Sequence, residues 1–150
     1  MRNSGNFQSH HTGDKRPEES LFTLKFNPDW MNNQLDESAI QFTEEFGKKL
    51  VENKLTTSQI RNFFGEVRRL QMKLKHDPNN EVARTGILLL RPKLAYAAKR
   101  KSESGTAGSE MLQKHLDQAL KIVGSDSDKF NRFADFFESI LAFHKVNGGK

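Results

Sequence analysis

The chain has 150 residues, enough for about one domain with a single core, and is 35% hydrophobic and 29% charged with a net charge of +5. It has no cysteine, which excludes disulfides and thiolate metal sites, and its modest apolar content calls for an aromatic core that 12 phenylalanines can supply. No apolar run approaches the ~18 residues of a membrane span and the N-terminus lacks the apolar stretch of a signal peptide, so a cytoplasmic protein with no membrane partner is expected.

Residues 1–21 are rich in Asn, Ser, Gly, His and charge, with Pro17 and almost no apolar side chain besides Phe7. They predict a disordered extension, followed by a helical-bundle domain over residues 22–147. LFTLKF, residues 21–26, alternates apolar and polar positions like a short extended arm that lays Leu24 and Phe26 on the bundle; NPDW, residues 27–30, reads as a turn anchored by Trp30.

A first helix is predicted from Asp36, whose carboxylate caps it, to about Asn53, with Ala39, Phe42, Phe46 and Leu50 at helical spacing. A second begins at Thr56, which has capping-box spacing to Gln59, and Ile60, Phe63, Phe64, Val67, Leu70 and Leu74 form its apolar stripe until Asp77 and Pro78 end it. The third runs from about Asn80 to Arg100, and Pro92, lacking a backbone donor, is expected to kink or restart it.

Residues 101–109, KSESGTAGS, read as a mobile loop, with Ser109 capping a fourth helix that turns Leu112, Leu116, Ala119, Leu120 and Val123 inward and stops at Gly124. The fifth starts within residues 125–128 and carries Phe130, Phe133, Phe137, Ile140, Leu141 and His144 on one side. The fold class is therefore all-α: a single compact bundle of about five helices.

Charge is unevenly placed. Residues 54–105 hold 12 Lys and Arg against 4 Asp and Glu, whereas residues 36–53 hold 2 against 5 and the remaining segments balance. A net +8 in the central third attracts a polyanion through counterion release, and nucleic acid is the commonest such partner; a merely solvated lysine-rich face remains open. On the second helix Arg61, Gly65, Arg68 and Arg69 lie away from the apolar stripe. Gly65 costs roughly 1 kcal/mol relative to Ala, which either close approach of a phosphate or tight packing of another helix explains. Tyr96 either stacks on a base or sits at the core edge.

Catalytic chemistry is not in view. No two of His10, His11, His76, His115 and His144 have metal-site helical spacing, His144 fits a half-buried polar tip better than a general base, Asp135 and Glu138 fit a solvated face, and Gly105 and Gly108 lack the context of a phosphate loop. No enzyme, cofactor or metal is expected.

Three stretches carry a resemblance: TTSQIRNFFGEV at 56–67, ILLLRPKLAYAAKRK at 87–101 and FADFFESILAFHK at 133–145. In this order they closely resemble the helical small subunit of type III-A CRISPR effector (Csm) complexes, over residues 26–145, with Phe143 standing where the family has a Tyr. The resemblance implies a non-catalytic, all-helical antiviral-defence subunit that stacks in several copies along the guide and target RNA. Its neighbours would be other copies of itself and the large and backbone subunits, which carry the nuclease and cyclic oligoadenylate chemistry. It adds weight to Arg61, Arg68, Arg69, Arg91, Lys93, Arg100 and Lys145 as residues that grip RNA phosphates without reading sequence. Two alternatives stand beside it. A helical DNA-binding regulator would use Gln59 and Arg61 on a recognition helix, for which the short tight turn from a preceding helix is not evident, and a protein-only adaptor would use its charge for solubility.

Overall fold

The computed structural model describes residues 25–100 and 106–150, apart from the side chains of Arg100 and Thr106. The expected extension at 1–21, Leu24 and residues 101–105 of the expected loop lie outside the described residues. Within them the chain forms six helices and no strand: α1 (Asp29–Asn32), α2 (Glu37–Glu52), α3 (Thr57–His76), α4 (Glu81–Arg100), α5 (Thr106–Val123) and α6 (Ser127–Val146).

The helix starts follow from capping chemistry. The Asp36 carboxylate accepts from the Ala39 amide, and its pKa is held below the usual value by its hydrogen bond from Ser38 and then by that amide. Thr56 and Gln59 form the reciprocal capping box of α3, Asn80 caps α4 by accepting from the Ala83 amide, and Asp126 caps α6. Gly124, at φ +58°, ends α5 in the left-handed conformation that residues with a Cβ avoid.

Three expectations change. NPDW is not only a turn but opens the short α1, where Trp30 and Met31 are buried. Ser109 is not a cap; α5 begins three residues earlier, and Ser109 is buried in its first turn because Gly108 packs against the α2–α3 connection at Asn53 and Leu55. The helix is not restarted at Pro92, which lies inside α4. Pro92 is exposed and the carbonyl it leaves without a helical donor belongs to Leu88, itself half-exposed on the solvent side of the helix.

The bundle is organised around α6, which packs on α1, α2, α3 and α5, while α4 closes the assembly by packing on α3 and α5. Buried residues therefore cover a wide arc of α6: Phe130, Phe133, Ala134, Phe136, Phe137, Ile140 and His144. A helix apolar over such an arc belongs inside a bundle. Thr43 hydrogen-bonds Ser139 at 2.7 Å, and one turn further Gly47 faces Phe143, so α2 and α6 run parallel. Phe26, Trp30, Phe42 and Phe136 form an aromatic knot beside α1, with centroids 5.3 to 6.5 Å apart. Arg132 ties it down by donating to Met31 O at 2.7 Å and Asn32 O at 3.4 Å, the free carbonyls at the end of α1.

Candidate nucleic-acid interface

The basic third of the chain folds into two adjacent antiparallel helices. α3 carries five Lys and Arg against one carboxylate, Glu66, and α4 carries five against Glu81 alone. On α2, two cations face four carboxylates. The net positive charge of the described residues is thus concentrated on these two helices, while the cations and carboxylates of α5 and α6 balance.

Successive helical residues point about 100° apart, so neighbours in sequence serve different faces. Arg69 turns toward α4, donating to Glu66 at 2.7 and 3.3 Å. Lys93 reaches the same carboxylate from α4 at 3.4 Å. Arg68 turns toward α6, where Nη1 donates to Gln71 at 3.1 Å, lies 4.0 Å from Glu138, and the guanidinium stands 5.9 Å from the Phe64 ring centre. Arg61 is exposed on the outer face of α3 with no ion pair to a described residue.

The other sequence-predicted cations are dispersed. Arg91 leaves the α3 side and makes a forked contact to Asp117 of α5 at 2.7 and 3.3 Å, which holds the guanidinium pKa above its ordinary value. Lys145 is exposed in the last turn of α6 and belongs to neither basic helix. The backbone of Arg100 ends α4; its side chain lies outside the described residues. The structure therefore gathers Arg69 and Lys93, leaves Arg61 and Arg68 on neighbouring faces of the same helix, and separates Arg91 and Lys145 from them.

A groove between α3 and α4 runs past the Glu66 bridge. One cavity of about 240 Å³, lined by Asn62, Phe63, Leu94 and Ala97 among others, and another of about 440 Å³, lined by Arg69, Lys73 and Leu89, meet at Glu66 and Lys93. Glu66 and Lys73 were not singled out in the sequence. A carboxylate placed three residues before an arginine was the signal for Glu66, whereas its contact with Lys93 exists only in the fold.

Several single-residue expectations are overturned. Gly65 serves no helix contact, since a Cβ there would meet nothing within 4 Å. Tyr96 is 69% exposed, so it is not a core-edge residue. It shares the outward face of α4 with Val82 and Leu89, spaced every seven residues, and with exposed Leu88 beside them. His144 is not half-buried but fully enclosed: Nε2 donates to Leu55 O at 2.7 Å, and Gly149 lies directly over the ring while its amide bonds His144 O. That locks the end of α6 to the α2–α3 connection. His115 lies against Phe46 and Phe42, and burial lowers its pKa despite the Nδ1 hydrogen bond to Met111 O.

Among the described residues no group of three or more His, Cys, Asp or Glu could hold a metal, and no helix is long and apolar enough to cross a membrane. Fold and charge together define a small helical-bundle protein with a basic two-helix face. The family model Csm2 Type III-A matches residues 33–150, and the chain belongs to that family, making it a structural small subunit of a type III-A CRISPR Csm complex. Comparison with curated proteins and with solved structures gave no match.

Proposed function

We propose that this subunit grips the backbone of the guide and target RNA within the Csm complex, in several stacked copies, without reading sequence and without catalysing a reaction. The observation that carries this reading is the net positive charge of α3 and α4, adjacent helices that each hold five cations against one carboxylate. Arg61, Arg68, Arg69 and Lys93 supply phosphate contacts from this side, and Arg91, Arg100 and Lys145 extend the basic surface toward neighbouring strands or subunits. The outward apolar residues of α4, Val82, Leu88 and Leu89, offer a surface for a neighbouring copy or subunit to cover. One copy makes few phosphate contacts, so isolated binding is weak and salt-sensitive, and stacking along the RNA multiplies it.

The DNA-regulator alternative gains one feature: the α2–α3 connection is a four-residue turn, with Lys54 in the left-handed region, contrary to the sequence expectation. Its geometry is nevertheless unsuited to a helix-turn-helix, because α2 and α3 do not pack extensively on each other and the Gln59 side chain is engaged by the Thr56 amide in the capping box.

The test is the triple variant Arg61→Gln, Arg91→Gln, Arg100→Gln. Arg91 and Asp117 form a partly exposed pair worth about 0–1 kcal/mol, so the protein still folds. RNA binding weakens, its salt slope becomes shallower by about three, and target engagement by the reconstituted complex falls. Unchanged RNA engagement by a folded triple variant refutes the reading.

A further inference from the structure

The waist of the α3–α4 groove is built like an anion site with its anion already in place. Glu66 is the only carboxylate on α3, and its Oε2 receives Arg69 Nη2 at 2.7 Å and Lys93 Nζ at 3.4 Å. The two cationic side chains are 50% and 54% exposed, while Glu66 is 26% exposed beneath them. An arriving anion therefore meets the cations before the carboxylate. A guanidinium fork fits a carboxylate and a phosphate with the same geometry, so whatever holds Glu66 here also holds a phosphodiester oxygen. The groove continues on both sides of the bridge, through the Phe63 and Leu94 side and through the Arg69 and Lys73 side, which leaves room for the chain on either side of a bound phosphate.

We propose that the Arg69–Glu66–Lys93 bridge is a phosphate seat held by a resident carboxylate, which an RNA phosphodiester displaces on binding. This rests on the RNA-gripping function proposed above and adds its mechanism: Glu66 is a built-in competitor. The hydrogen bond from Arg69, and secondarily that from Lys93, holds its pKa below the usual carboxylate value. In the free subunit Glu66 engages both cations and offsets one of their two charges, so stray polyanions bind less well. Where stacked copies present RNA at high local concentration, the phosphodiester takes over Arg69 and Lys93, and Glu66 rotates to solvent.

The experiment compares wild type, Glu66→Gln, Arg61→Gln, Glu44→Gln and the triple variant Glu66→Gln, Arg69→Gln, Lys93→Gln for anisotropy of a labelled single-stranded RNA of mixed sequence, from about 50 to 300 mM salt. Melting curves confirm that each variant is folded. Glu44 is exposed on α2, away from the groove, and controls for the change in net charge. Glu66→Gln binds roughly three- to tenfold tighter at low salt, with a slope steeper by about one to two, whereas Glu44→Gln changes affinity by less than about twofold. The gain vanishes in the triple variant. If Glu66→Gln binds no tighter than Glu44→Gln, or if the triple variant keeps the gain, the seat does not exist. Should wild type bind with a salt slope and Arg61→Gln weaken it while Glu66→Gln matches Glu44→Gln, only the seat falls and RNA gripping stands. Absence of salt-dependent binding by wild type removes both.

Discussion

Replacing Gly47 and Gly65 in turn by Ala makes the same chemical change on two exposed-looking helices and has opposite consequences. A Cβ on Gly47 would lie 2.7 Å from Phe143 Cβ, 2.8 Å from His144 N and 2.9 Å from Phe143 C, all atoms anchored in the backbone of α6. To restore ordinary contact near 3.4 Å, α2 must retreat by about 0.7 Å from its nearest contact, which loosens Phe42, Phe46 and Leu50 against the core. Overpacking of this kind costs about 1–3 kcal/mol, and the better helix propensity of Ala returns about 0.5–1, leaving a net loss of about 0–2.5 kcal/mol. At Gly65 nothing lies within 4 Å, so only the propensity term acts and the variant gains about 0.5–1 kcal/mol. Urea unfolding followed by circular dichroism measures both, and in thermal melts each kcal/mol moves the midpoint by about 3–5 °C. A Gly47→Ala protein as stable as Gly65→Ala would refute the close crossing of α2 and α6, and a destabilised Gly65→Ala protein would refute the open space at that position.

Substituting His144 by Ala empties a fully buried site and leaves Leu55 O without its donor, so stability falls by about 2–4 kcal/mol, read in the same urea titration; a loss under about 0.5 would remove the proposed lock. His115 predicts a pH dependence. Its folded pKa lies below the unfolded value near 6.5, so the unfolded chain binds more protons in the interval between them. Stability from this group is complete above about pH 6.5 and is lost as pH falls through the folded value, giving a lower melting temperature at pH 5 than at pH 7. His115→Gln flattens this profile, and an unchanged profile in that variant assigns the dependence elsewhere.

The helices were legible because their signals are local: Asp36, Thr56 with Gln59, and Gly124 act on residues within one turn, and the apolar stripes repeat within each segment. Ser109 misled because its residue type suits a cap, while its actual surroundings come from residues 53–55. The basic third and its two helices were equally legible, but not the state of each cation. Lys93 meets a carboxylate 27 residues away and Arg91 one 26 residues away, separations that no helical period reports. Gly65 drew attention as an expensive residue, whereas packing requires glycine at positions such as Gly47, whose neighbours arrive from the far end of the chain. His144 was misplaced for the same reason: its partner Leu55 lies 89 residues earlier.

The central position of α6 has a consequence for biosynthesis. Every helix it packs against is translated before it, and the parallel α2–α6 pair joins residues as far apart as Thr43 and Ser139, a separation of 96. α3 can meet α4 and α2 can meet α5 as they emerge, but the most extensive partner of α2 and α3 arrives only with the segment from Phe130 to His144. Until then Phe42, Phe46, Ile60 and Phe63, all buried in the finished bundle, lack part of their cover. A nascent chain stalled before α6 would therefore be a sticky, chaperone-dependent species, and shortening the protein from its C-terminal side would remove the hub of the bundle instead of trimming its edge.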